Sequence, residues 1–256
     1  MDRDAIYREL EGEFLATFMG ELLPGILHNF ANPLNGIMGR AKLLERRLEE
    51  GLKKVEARFP GFSQELGSEK IVKDVKIISA ESDRFFKLFG DLADKMMTLS
   101  RTEPERVSLS VLIAAEMRFA DFYLDFKHEL KKTISLDYDL PEIQGRAADI
   151  SLALTNILIS AKERMKNSAV KEFTVSTACD AGGISVMIRD SGAAISADCR
   201  RIMEAGAADC HLDMLPGQER AVAASLLLFK TGGFSVKMIC AEGANQISLG
   251  FPLTGG

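Results

Sequence analysis

One histidine of this chain stands in a setting suited to covalent chemistry. His28 opens the segment His28-Asn29-Phe30-Ala31-Asn32-Pro33-Leu34, within sequence whose apolar positions recur every three or four residues, as in a helix. A neutral imidazole is nucleophilic near pH 7 and can accept and release a phosphoryl group there. Pro33 removes one backbone hydrogen bond from this helix and bends it. The segment predicts a reactive histidine beside a bend, with a core histidine near a kink as the alternative.

Two long helices must position this histidine. The first carries apolar residues at a heptad-like spacing from Phe14 to Leu48, and the second carries them from Ile71 to Leu99, with a break at Arg58–Ser63. Two such helices joined by a short turn form an antiparallel hairpin, and a heptad pattern calls for a partner helix. We expect two hairpins to pair into a four-helix bundle across a dimer axis. The alternative is a hairpin that packs on the rest of its own chain.

The polar stretch Arg101–Arg106 reads as a linker that divides the chain into residues 1–102 and 103–256. Beyond it the pattern predicts helices at Ser108–Glu129, Ala147–Met165 and Ala221–Lys230. It predicts short strands at residues 133–136, 173–177, 183–189, 234–239 and 246–251. Helices mixed with antiparallel strands in this way predict an α+β layered domain with one face of its sheet covered.

The histidine segment and the order of the chain resemble the two-component histidine kinases. The phosphoacceptor helix of that family reads His, an acidic residue, two variable residues, Thr or Asn, Pro and Leu, and here His28, Asn32, Pro33 and Leu34 agree. A helical hairpin, a linker and a smaller domain follow the family's order over nearly the whole chain. The resemblance implies an α+β protein with a dimeric four-helix bundle followed by an α/β sandwich of the histidine-kinase ATPase type.

The resemblance also assigns catalytic roles. His28 would be the phosphorylated nucleophile, and Asn32, one helical turn later, would orient water when a partner is dephosphorylated. Asn29 departs from the family, which usually has Glu or Asp there to hold the imidazole and stabilise its positive charge. Because an amide brings no charge, we expect His28 to be a weaker nucleophile towards ATP that can still take phosphate from an aspartyl phosphate.

The nucleotide motifs of the family are altered in the second half. Asn156 matches the first asparagine of the family's Asn-rich box, but Ser160 stands where the Mg²⁺-binding asparagine is expected, and a hydroxyl is the poorer ligand. Asp190 and Gly192 match the adenine-binding Asp-x-Gly-x-Gly motif, whose second glycine is here Ala194. The resemblance therefore implies a weakened binding site for adenine and metal.

The glycine-rich turn of the family, whose bare amides cradle the triphosphate, is altered as well. Counting back from Gly232-Gly233, its glycines fall on Gln218 and Arg220. Side chains there would crowd a phosphate, although Arg220 brings a positive charge. We expect a vestigial or much altered ATP site and no firmly held cofactor, with ATP and Mg²⁺ as the ligands to test.

The composition of the chain indicates which classes of partner and ligand to expect. The chain has 256 residues and a net charge of −5, which disfavours broad nucleic-acid binding. Neither a signal peptide nor a membrane segment is visible in the sequence, and we expect a cytoplasmic protein. The four cysteines match no metal-ligand spacing, and the group Cys199, Cys210, His211 and Asp213 is expected to lie in a surface loop rather than at a metal.

These observations predict a phosphotransferase of the histidine-kinase type. It would carry a phosphoryl group on His28 and exchange it with an aspartate of a response-regulator receiver domain in a two-component phosphorelay. Its expected partners are a second copy of the chain, the receiver domain and a separate sensor protein. One alternative is an ATP-dependent sensor histidine autokinase and phosphatase, and the other is a non-catalytic dimeric scaffold.

Overall fold

The computed structural model describes residues 23–62, 68–205, 212–215, 217–241 and 243–253. Within them the chain divides into two compact units, one that ends at Ala93 and one that begins at Asp94. The division falls inside a helix and upstream of the polar stretch Arg101–Arg106. The assignment of residues 1–102 and 103–256 to separate functional domains stays a prediction.

The first unit is a helical hairpin. Helix α1 spans Leu23–Arg58 and helix α2 spans Ser68–Ser100, of which residues 94–100 belong to the second unit. Ion pairs of 2.8 Å join Lys42 to Asp83 and Glu49 to Lys76. Since residue numbers rise along α1 as they fall along α2, the helices run antiparallel, which confirms the predicted hairpin. Mostly small side chains are buried between them, namely Leu34, Ala41, Val75, Ser79 and Ser82.

The second unit is a mixed sheet with helices. Its helices are α3 (Leu109–Ala120), α4 (Leu124–His128), α5 (Ala147–Met165), α6 (Ala197–Ala205) and α7 (Gly217–Thr231), with a 3₁₀ turn at Leu212–Met214. Its strands are β1 (Glu105–Val107), β2 (Lys131–Ser135), β3 (Ile143–Gly145), β4 (Glu172–Asp180), β5 (Gly183–Asp190), β6 (Ser235–Ile239) and β7 (Asn245–Phe251). The main sheet has the order β2-β4-β5-β7-β6, and β1 pairs with β3 in a separate ribbon.

Side chains alternate across the main sheet, as the period of a strand requires. One face is buried and apolar, with Phe173, Val175, Ile184, Val186, Ile188, Ile247, Leu249 and Phe251. The opposite face carries partly or fully exposed side chains such as Ser176, Ser185, Arg189 and Gln246. The expected α+β domain with one covered sheet face is therefore confirmed.

Several details differ from the sequence prediction. The helix predicted at Ser108–Glu129 is broken at Asp121–Tyr123 into α3 and α4. Phe126 continues the apolar pattern of the sequence, so the two helices look like one. In the structure Phe126 belongs to the separate short helix α4, where it is buried and packs on Phe173 with ring centroids 5.5 Å apart. Strand β2 pairs with β4 in parallel, whereas antiparallel strands were expected. The short elements β1, β3 and α6 were missed, and α7 begins at Gly217, before the predicted start.

None of the helices in the described ranges is both long and apolar enough to cross a membrane.

Candidate functional site

The predicted phosphoacceptor segment lies on α1. His28 and Asn29 belong to this helix, while their side chains lie outside the described part of the structure. Asn32 and Pro33 are exposed, and Leu34 is buried in the hairpin. Pro33 is inside the helix and has no N–H to donate to the carbonyl of Asn29 four residues earlier. The segment thus presents an exposed amide one helical turn beyond His28.

The hairpin leaves two apolar stripes uncovered. Phe30, Ile37 and Leu44 follow one another at seven-residue spacing on α1, and Ile71, Ile78 and Phe85 do the same on α2. Each of these side chains is between 44% and 58% exposed. Packing within one hairpin uses a different, narrower set of residues, so these heptad stripes are free to pack on further helices.

Two of the predicted nucleotide residues, Ser160 and Asp190, meet around Arg164. Ser160 and Arg164 are one turn apart on α5, and Asp190 ends β5. Arg164 donates from Nη1 to Oγ of Ser160 over 2.6 Å and from Nη2 to Oδ2 of Asp190 over 2.5 Å. The guanidinium is largely buried, and it connects the two positions that the resemblance assigned to metal and adenine.

The other oxygen of Asp190 is also occupied. The backbone N–H of Gly192 and Nδ2 of Asn245 each donate to Oδ1 over 3.0 Å. Asn245 lies opposite Asp190 in the pairing of β5 with β7 and is itself buried. It also donates to the carbonyl of Ala193 over 2.9 Å and accepts from the N–H of Ile195 over 3.1 Å. The buried carboxylate is therefore satisfied entirely by groups of its own chain.

Gly192 holds the loop after β5 directly against α5. A Cβ atom at this position would lie 2.6 Å from Cβ and 2.8 Å from the carbonyl carbon of Arg164. The neighbouring Ala193 N–H donates to the carbonyl of Arg164 over 3.2 Å. Because backbone atoms cannot move aside as a flexible side chain can, only glycine fits here, and the loop is closed onto the helix.

The residues present do not fit a Mg²⁺-nucleotide as they are arranged. The guanidinium of Arg164 already lies at hydrogen-bond distance from Ser160, and its positive charge would repel a Mg²⁺ ion placed beside it. The oxygens of Asp190 are taken by Arg164, Asn245 and Gly192, so an adenine amino group would have to displace one of them. Asn156 donates its amide to the carbonyl of Leu152 on its own helix.

Arg220, the predicted phosphate-facing residue, lies on α7 and is half-buried. The side chain of Gln218 lies outside the described residues, as do residues 206–211.

The cysteine and histidine candidates show no reactive arrangement in the described residues. Burial, followed by the nearby charge of Glu219, raises the pKa of the Cys199 thiol to about 12, so it stays protonated at neutral pH. Cys210, His211 and the side chain of Asp213 fall outside the described ranges. Within those ranges no group of three or more His, Cys, Asp or Glu side chains is placed to hold a metal ion. His128 ends α4 in an exposed position.

Sequence reasoning missed Arg164 and Asn245. Arg164 left a usable signal, since a basic residue four positions after Ser160 lies on the same helix face. Asn245 left none, because its position opposite Asp190 depends on how two distant strands pair.

No protein-family model matches this chain. Among curated proteins, the sensor histidine kinases ZraS of Escherichia coli O157:H7 and of Escherichia coli strain K12 are each 22% identical over 196 residues. The match covers 77% of this chain and 38% of each kinase. The chain therefore spans less than two fifths of the length of these relatives.

Solved structures of histidine kinases also align with the chain. The histidine kinase AdeS of Acinetobacter baumannii aligns at 14% identity and a TM-score of 0.44, covering 78% of this chain and 98% of that one. The histidine kinase domain of the Erythrobacter litoralis EL346 blue-light activated kinase aligns at 17% identity and a TM-score of 0.43, covering 84% and 94%.

The similarity in sequence spans most of the chain, and the fold is a helical hairpin followed by a mixed-sheet domain. The chain is thus similar in sequence to sensor histidine kinases and has the helical hairpin and mixed-sheet domain that the resemblance of its histidine segment implied.

Proposed function

We propose that this chain carries a phosphoryl group on His28, exchanges it with an aspartate of a receiver domain, and does not take it from ATP of its own. In the step towards the protein, an unprotonated imidazole nitrogen of His28 forms a bond to phosphorus as the bond between phosphorus and the aspartyl oxygen breaks. The aspartate leaves as a carboxylate, and the reverse step returns the group.

The surroundings of His28 support this role. Asn32 is exposed one turn later on α1, where its amide can reach a phosphoryl group or a water molecule near His28. Asn29 can accept a hydrogen bond from an imidazole N–H, but it supplies no negative charge. Uncharged amides at both positions suit reversible exchange with a reactive acyl phosphate better than attack on the less reactive γ-phosphate of ATP.

The arrangement around Arg164 carries the ATP-independent part of the proposal. Its guanidinium lies between Ser160 and Asp190 and bonds to both, over 2.6 and 2.5 Å. Phosphoryl transfer from ATP depends on positioning and on metal electrostatics, so a site whose metal and adenine positions are filled by a side chain loses both contributions. The phosphate must then come from a partner protein.

We further propose that the chain acts as a homodimer. The apolar stripes at Phe30, Ile37 and Leu44 and at Ile71, Ile78 and Phe85 are half exposed in one hairpin. Heptad spacing on both helices matches a second antiparallel hairpin, which would cover the stripes in a four-helix bundle.

The test compares two phosphoryl donors. Wild-type protein is incubated with γ-labelled ATP and Mg²⁺, and separately with receiver domains labelled on aspartate by a small-molecule phosphodonor. We expect acid-labile label on this chain only from a receiver. His28→Gln should abolish the labelling, while His128→Gln, which changes an exposed histidine at the end of α4, should leave it intact.

Other outcomes separate the alternatives. Strong labelling from ATP would overturn the proposal in favour of an autokinase. Failure with every receiver tested would favour a scaffold. The variant Asn29→Glu should stay unlabelled by ATP, because the proposed block lies at Arg164 rather than at the imidazole.

A further inference from the structure

The end of α2, from Asp94 on, belongs to the sheet unit and carries a buried lysine. Lys95 is 5% exposed, and its Nζ lies 2.9 and 2.8 Å from the two carboxylate oxygens of Glu116 on α3. The same Nζ donates to Oγ of Ser151 over 2.6 Å and to Oγ1 of Thr155 over 2.5 Å, both on α5. The three N–H groups of one ammonium thus connect α2 with two other helices.

This cluster is fully satisfied. Ser151 donates from Oγ to one oxygen of Glu116 over 2.5 Å, and Thr155 donates from Oγ1 to the other over 2.8 Å. Glu116 is 2% exposed, so both charges are removed from water. Loss of one partner would leave the other charge buried and unpaired, which is strongly unfavourable. Residues 94–100 of α2 are therefore held as part of the sheet unit, in agreement with its beginning at Asp94.

The intrinsic helix propensity of α2 is low at a glycine just before Lys95. Gly90 lies in the interior of α2, and a Cβ added to it would meet no atom within 4 Å. No close packing therefore requires a glycine here, and glycine is among the poorest helix formers. The boundary between the two units follows three residues later, between Ala93 and Asp94.

We infer that Lys95 makes residues 94–100 a rigid part of the sheet unit, and that the chain bends between its units inside α2, at Gly90–Ala93, rather than at the polar stretch Arg101–Arg106. The consequence concerns α5, the helix that carries Asn156, Ser160 and Arg164. Lys95 contacts α5 at Ser151 and Thr155, so a displacement at the end of α2 reaches that helix directly, without passing along the polar stretch.

Hydrogen exchange by mass spectrometry on the full chain tests this inference. In the wild type we expect slow exchange at residues 95–100, comparable with residues 151–158 of α5, and a faster window at residues 88–93. Lys95→Met should speed exchange at residues 95–100 at least tenfold. Lys87→Met, at an exposed position of the same helix, should leave it unchanged.

A glycine pair gives the second comparison. Gly90→Ala should slow exchange in the 88–93 window about fivefold, the factor that corresponds to the difference in helix propensity. Gly51→Ala, in α1 and equally without neighbours, should not change that window.

Two results would overturn the inference. One is exchange at residues 95–100 of the wild type as fast as at residues 101–106. The other is an unchanged profile in Lys95→Met. If Lys95→Met does not fold, the wild-type profile still decides, and so does the double variant Lys95→Met with Glu116→Leu, which removes both charges. The double variant should fold and still exchange faster than wild type at residues 95–100.

Discussion

The contact between Arg164 and Asp190 makes the sharpest prediction, because a single substitution both destabilises the sheet unit and exposes the adenine position. Arg164→Met keeps much of the side-chain length and removes the charge, leaving the buried carboxylate of Asp190 without a cation. Breaking a buried ion pair costs about 3–5 kcal/mol. We expect the lower end, about 3 kcal/mol, because Gly192 and Asn245 still donate to that carboxylate. This corresponds to roughly a 150-fold change in the folding equilibrium.

Urea unfolding followed by far-UV circular dichroism measures this effect, since the chain has no tryptophan to report by fluorescence. Arg189→Met is the matched control, because Arg189 is exposed and bonds to Gln246, and it should cost no more than about 0.5 kcal/mol. In a double-mutant cycle, Asp190→Asn should show a coupling with Arg164→Met of about 2 kcal/mol. A cost below about 1 kcal/mol for Arg164→Met, or no coupling, would refute the argument that this guanidinium fills the site.

Three further predictions test other parts of the structure. Ile37→Asp should shift a dimer towards monomer in analytical ultracentrifugation, and Arg40→Asp, on the exposed surface of the same helix, should not; equal behaviour of the two variants would count against pairing through the apolar stripes. Gly192→Ala should cost about 2–3 kcal/mol in urea unfolding because its Cβ meets helix backbone, whereas Gly39→Ala, with open space, should be neutral or stabilising. The pKa of Cys199 rises from 9.0 to about 12 on folding, so the folded state keeps a proton that the unfolded state loses. The contribution of this thiol to the free energy of unfolding is fully present below pH 9. It is lost as the pH rises to 12, at up to about 1.4 kcal/mol per pH unit. Cys199→Ala should show a shallower loss of stability over that range, and an identical slope would contradict the prediction.

The sequence determined the parts that depend on local periodicity. The heptad spacing of Phe30, Ile37 and Leu44 identified the hairpin, and the apolar face around Ile150 and Leu154 identified α5 with the bounds that the structure shows. Such patterns are readable because the residues that share a helix face lie three or four positions apart. The same local reading located His28 and the altered residue Ser160.

The tertiary structure decided which charged groups find partners. Asp190 and Asn245 meet because β5 pairs with β7, and Lys95 meets Glu116 because the end of α2, from Asp94 on, folds together with α3 in the sheet unit. Nothing local in the sequence indicates either contact, because each joins residues that are far apart along the chain. The start of the compact sheet unit at Asp94 likewise depends on contacts between residues that are distant along the chain. A buried charge must find its opposite charge wherever the fold brings one, so these contacts become visible only once the chain has folded.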